Sequence, residues 1–320
     1  MFSAAQCIGV FLIIFAFCSF LLNTFLIYVF ISKRLISTKH ENHTIYRLIL
    51  NFLVCDSLEV WPTIYIAVCA VLEKDLLQGD FPVIIGTINN LMYYEMMLML
   101  MTMAINRYVG ICHFNKYASI FTARTAAILI VVTWSISGVF SIYAGYFVYC
   151  CALVPFYPVF TFIYLNPLNL DNVMARYNHL NEVCCCVLFF CYARILWTVH
   201  KIGREALSRM DRSIQRHRTR QNIRFAFQFL FISLFFILIA IFYVVFPKLL
   251  PEGVLLPYSL ISVCMIANCT INSIMYLSFN PEVRRLALLT LFGKKNTVGV
   301  RGETQNVQRS RITQEQRRNG

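Results

Sequence analysis

The groups in this chain that could do chemistry are few, and they sit where chemistry is costly. Asp56 and Glu59 lie about one helical turn apart, Glu95 and Arg107 share a later stretch, Asn268 and Asn272 share one helix face near the end, and Asn23 stands in the first stretch. All fall within long apolar runs, where a polar or ionisable group marks a function unless it merely ties two helices together. Three kinds of chemistry are open to them: holding a small molecule, lining an ion path, or latching a signalling conformation. Covalent catalysis is not among them. No nucleophile stands beside a base and the six histidines show no paired metal-ligand spacing, so no enzyme, cofactor or metal ion is expected.

The elements that must position these groups are the apolar runs themselves. Of 320 residues, 59% are hydrophobic and only 13% charged, which is too apolar for a soluble surface. A spanning helix needs roughly 20 apolar residues to cross about 30 Å of hydrocarbon. Runs of that kind cover Cys7–Ile31, Leu48–Leu72, Val83–Asn106, Ala126–Val148, Tyr177–Val199, Ile223–Phe246 and Val254–Phe279. The pattern predicts an all-α membrane protein, a bundle of seven transmembrane helices. Cys150–Leu168 is an eighth apolar stretch, but Pro155, Pro158 and Pro167 argue against a straight helix, and it is expected as an outer loop. The first stretch lacks a basic leader and is too long for a signal peptide, so it is expected to be the first span.

Charge orients the bundle. Lys33, Arg34, Lys39 and Arg47 follow the first span, Lys116 and Arg124 the third, and a run from Lys201 to Arg224 the fifth. The opposite loops hold only Lys74, Arg176 and Lys248 among Glu73, Asp75, Asp80, Asp171, Glu182 and Glu252. The N-terminus is therefore expected outside and the C-terminus in the cytosol. The net charge of +13 then needs anionic membrane lipid and a cytosolic partner, and no nucleic acid.

Residues 1–292 are expected to form the membrane domain, closing with an amphipathic surface helix over Pro281–Phe292, and residues 293–320 a disordered cytosolic tail. Most of the 13 cysteines lie within spans as small apolar packing residues. Near the outer face, Cys69 and one of Cys150 or Cys151 are candidates for a disulfide. The sequons at Asn42 and Asn268 fall in the cytosol and inside a span, where no sugar is added.

Several strings resemble the rhodopsin-like receptors: Asn51-Phe52-Leu53-Val54-Cys55-Asp56 in the second span, Ala104-Ile105-Asn106-Arg107-Tyr108 ending the third, and Trp134 in the fourth. Asn268 to Tyr276 is similar to their seventh-helix Asn-Pro-x-x-Tyr region, with Ser273 in place of the proline, and Phe279-Asn280-Pro281-Glu282-Val283-Arg284 leads into the surface helix. Within that class, Asn106-Arg107-Tyr108 followed by Tyr117-Ala118-Ser119-Ile120-Phe121 resembles the nematode serpentine chemoreceptors, among them the Srx class. The departures are that Asn106 replaces an acid, no cysteine lies between Cys69 and Cys112, and the sixth span has neither the family's tryptophan nor its internal proline.

The resemblance implies a multi-pass receptor of the plasma membrane, in sensory cilia, that binds a small-molecule ligand outside and a heterotrimeric G protein inside. Asn106, Arg107, Tyr108, Asn272 and Tyr276 would carry coupling, and Asn23, Asp56 and Asn268 an interior polar cluster. Asn89 lies 18 positions before Arg107, about five turns, with Tyr93 about 40° off that line, so the two share an inward stripe. Both match positions that line the ligand site in the family, with Glu59 beside them, and their lack of charge predicts a neutral, largely apolar ligand. An ion-conducting or transporting protein built on Asp56, Glu59 and Glu95 is the rival reading; a receptor that reaches the membrane but signals weakly is another. The orientation is checked first: an epitope inserted at Ser213 is expected to be reached by antibody only after permeabilisation, and one at the N-terminus without it.

Overall fold

The computed structural model describes residues 3–38, 42–148, 152–164, 179–206, 213–249 and 256–293. Helix α1 (Ala4–Ser32) starts at a capping box in which the Ser3 hydroxyl accepts from the Gln6 amide and the Gln6 side chain accepts from Ser3. It is followed by α2 (His43–Leu72), α3 (Phe81–Cys112), a short α4 (Phe114–Ile120) and α5 (Ala123–Ile142), which Thr122 caps. A π-helical turn (Tyr143–Phe147) carries α5 to its outer end. The chain closes with α6 (His179–Ala206), α7 (Ser213–Leu249), α8 (Ser259–Phe279) and α9 (Pro281–Phe292).

Among the described residues, six helices are long and apolar enough to cross a membrane; α7 adds the apolar stretch Ala226–Phe242 within its 37 residues. With α1, α2, α3, α5, α6 and α8 it makes the seven-helix bundle expected from hydropathy. At 1.5 Å per residue α7 is about 55 Å long, so its basic first turns extend past the hydrocarbon. Helix α9 buries Val283 and Ala287 and exposes Leu288, Leu289, Leu291 and Phe292, the pattern of a helix lying on the inner membrane surface.

Helices α2 and α3 occupy the middle of the bundle. Helix α3 is packed largely through methionine: Met92, Met96, Met97, Met99 and Met103 are all buried. These thioethers meet Phe52 and Leu53 of α2, Cys184 and Leu188 of α6, and Phe229 and Ile232 of α7 in one core. An element buried on every side has no polar face to show in its sequence, so only length and flanking charge reveal it.

Within Cys150–Leu168, expected as loop, Leu153–Phe156 (β1) and Thr161–Tyr164 (β2) form an antiparallel hairpin with Leu153 opposite Tyr164. A single 3-10 turn (Tyr157–Val159) and Phe160, at φ 58°, reverse the chain. That left-handed residue is held by tertiary contacts: Phe160 is buried against Leu12, Val60 and Ile266, and its carbonyl accepts from the Ser262 hydroxyl. Tyr157 donates to the Glu73 carbonyl at 3.2 Å. The hairpin thus lies over the outer end of the bundle, pinned to α2, α3 and α8.

Its seat on α3 is a glycine. A Cβ at Gly86 would overlap the Leu153 carbonyl, and one at Gly145 in the π turn would overlap the Thr87 hydroxyl. Only a residue without a side chain allows this approach of backbone to helix. Gly86→Val is therefore expected to lower stability by about 1–3 kcal/mol, the usual cost of overpacking. Thermal unfolding of the purified chain in detergent measures it, and an unchanged unfolding temperature would show that the hairpin does not depend on this seat.

Candidate functional site

The polar groups of the spans resolve into three clusters stacked along α2, α3 and α8, and each has its own chemistry. In the middle, Asn272 donates its side-chain amide to both carboxylate oxygens of Asp56, at 3.1 and 2.9 Å, joining α2 to α8. Asn23 donates to the Cys269 carbonyl at 3.3 Å and accepts from the Ser273 hydroxyl, joining α1 to α8. Asn268 turns its amide to the Met96 sulfur at 3.9 Å. The residue that replaces the family's seventh-helix proline is thus a hydroxyl donor that pins Asn23, and Asn23 acts as interhelical glue.

Glu95 forms a separate knot with α2 and α5. Its carboxylate accepts from Asn51 at 3.0 Å, from Thr133 at 2.9 Å and from Ser137 at 3.2 Å. Asn51 in turn accepts from the Trp134 indole at 2.9 Å. A carboxyl group can accept several hydrogen bonds, and three neutral donors from α2 and α5 answer this one.

At the inner end, Arg107 is 2% exposed and points into the bundle. Its Nε and Nη2 donate to the Asn106 side-chain oxygen Oδ1, the first at 3.0 Å. Nη2 also reaches the Tyr117 hydroxyl at 3.4 Å, and the Asn106 amide donates to the same hydroxyl at 3.3 Å. Tyr117 lies on α4, and it closes a three-membered clamp where the resembling family uses an acid. Tyr108 faces away from this clamp, with its hydroxyl 3.1 Å from His113 Nε2 and its ring against Phe190 of α6. Tyr276 is fully buried against Phe229 of α7, and Tyr192 of α6 meets Ser233 of α7 at 3.4 Å. Beneath them the Asn280 side chain caps α9 by accepting from the amides of Glu282 and Val283, and donates to Tyr46, whose hydroxyl donates to Glu282 at 2.7 Å. The surface helix is thereby bolted to α2.

In the outer half, Asn89 is 5% exposed and Glu59 1% exposed. Tyr93 is half-buried, its ring stacked on Phe236 of α7 with centroids 5.6 Å apart. Phe236 and Tyr192 were not singled out from sequence, and Tyr117 entered only within a family string, with no role assigned: aromatic residues are too frequent in these spans to stand out, and α4 has only seven residues. Cys69 is a buried free cysteine; Cys150 and Cys151, and the tail from 294 onward, lie outside the described residues.

Comparison with known proteins agrees with this fold. Squid rhodopsin superposes with a TM-score of 0.71, covering 91% of this chain and 86% of that one at 18% identity, a likeness of fold. None of the curated proteins matches in sequence. The family model described as serpentine type 7TM GPCR chemoreceptor Srx matches residues 13–280, from the first span through the cap of the surface helix. The chain belongs to the Srx family of serpentine seven-transmembrane chemoreceptors.

Proposed function

We propose that this receptor detects a small, largely apolar molecule outside the cell, in the outer half of the bundle at Asn89, Tyr93 and Glu59. It passes the signal to a heterotrimeric G protein at the inner face, from the plasma membrane of sensory cilia. The observation that carries the reading is the buried Arg107 clamped by Asn106 and Tyr117, because a guanidinium that merely reached for lipid headgroups would be exposed.

The clamp is neutral on the Asn106 and Tyr117 side. A hydrogen bond to a charged group contributes about 1.5–3 kcal/mol, and here the attraction of an acid at position 106 is missing from the resting state. Ligand binding outside need only favour a conformation in which the inner ends part. The stacked pair Tyr93 and Phe236 offers a route, since it joins the outer part of α3 to α7. Glu95, the third acid of the rival ion-path reading, is already held by three donors.

Nucleotide exchange on G protein in membranes tests the reading. Arg107→Ala is expected to abolish coupling at normal surface expression, Asn106→Asp to lower basal exchange, and Tyr117→Phe to raise it. Full coupling by the Arg107 variant would sink the mechanism. Asn89→Leu and Tyr93→Ala are expected to weaken the potency of an odorant found by screening at least about tenfold, the worth of one buried hydrogen bond or ring contact. Unchanged potency in both at equal expression would move the ligand elsewhere.

A further inference from the structure

Of the three acids buried in the spans, two have donors and, among the described residues, one has none. Asp56 receives both of its bonds from Asn272, and Glu95 receives from Asn51, Thr133 and Ser137. Glu59, 1% exposed, has neither carboxylate oxygen in a hydrogen bond. The side-chain oxygen of Asn89, itself 5% exposed, is also without a partner among the described residues.

These two orphans lie at one depth. Helices α2 and α3 run antiparallel, and their contacts step outward in register: Asn51 meets Glu95 at 3.0 Å, and one turn further out the Cys55 thiol meets the Met92 carbonyl at 3.6 Å. One more turn on each helix brings Glu59 level with Asn89. On the inner side the next ionisable group of α2 is Asp56, a second acid whose two oxygens already accept from Asn272. The site is therefore rich in acceptors, and an unpartnered buried carboxylate is among the costliest groups a bundle can carry.

We propose that the ligand is a small apolar amine, bound as its ammonium ion by Glu59 with the Asn89 oxygen as second acceptor. This deepens the chemoreceptor reading and rests on it. Asn89 and Tyr93 alone predict a neutral ligand; the orphaned Glu59 adds a charge to be matched. An alcohol brings one donor and leaves the carboxylate uncompensated, whereas an ammonium brings three donors and the opposite charge. The stacked rings of Tyr93 and Phe236, about one turn inward of Asn89, supply the apolar wall for the hydrocarbon body.

The test uses the full chain purified in detergent and its thermal unfolding. The probes are hexylamine, cyclohexylamine and 2-phenylethylamine, each beside the alcohol of the same skeleton, with sodium chloride as a separate arm. At least one amine is expected to raise the unfolding temperature saturably, at concentrations about ten- to a hundredfold below those its alcohol requires. Glu59→Gln is expected to erase that preference, Asn89→Leu to weaken it, and Glu95→Gln, which alters an acid already supplied with donors, to keep it. No amine acting better than its alcohol, a preference that survives Glu59→Gln, or a Glu59-dependent response to sodium and not to amines would each overturn the proposal. The amine and alcohol comparison on the unmodified chain stands even where a variant fails to fold. Binding is read without any G protein, so amine binding without nucleotide exchange would sink the signalling reading alone.

Discussion

Hydrocarbon offers no hydrogen bonds, and every polar side chain in a span must therefore be answered by another part of the protein. Most of the bundle's connections follow from that constraint. Asp56 needs donors and takes them from α8; Glu95 takes them from α2 and α5; Asn23 is answered by α8 through Ser273 and the Cys269 carbonyl. Apolar packing gives the helices no strong preference for one partner over another in lipid, so these bonds fix which helix faces which. Glu59 is the buried acid of the spans that, among the described residues, no donor answers.

The spans were legible because the bilayer demands length and apolarity, and both are written into composition. Their ends were less so. Helix α2 begins at His43, five residues before Leu48, because its first turn is buried against the inner loop, where Thr44 donates to the Phe121 carbonyl. Polar residues that find tertiary partners extend a helix beyond its hydrophobic run, and hydropathy cannot register that. The hairpin was hidden for a related reason: Phe160 is a bulky residue in left-handed backbone, and only the cavity it fills between α1, α2 and α8 makes that conformation tolerable.

The candidate site was legible in its α3 members, since helical periodicity alone aligns Asn89, Tyr93 and Arg107. What periodicity could not supply is which partner each would meet. Tyr117 lies ten residues beyond Arg107 on a different helix, and only the turn at His113 folds it back beneath the guanidinium. The family's disulfide at the top of the third helix is absent from the sequence, and the way the outer hairpin is nonetheless seated on α3, through Gly86, depends on a backbone approach that carries no pattern of its own.

The methionines of α3 bear on how such a bundle can move. Helix α7 has no glycine or proline along its length except Pro247 near its outer end, so it lacks a built-in joint. Thioether side chains, unbranched and with three rotatable bonds, exchange rotamers without opening voids, whereas β-branched packing would lock neighbouring helices in one setting. Such packing would let α7 shear along α3 as a rigid rod, with the displacement absorbed at the side-chain interface and no bend needed in α7 itself.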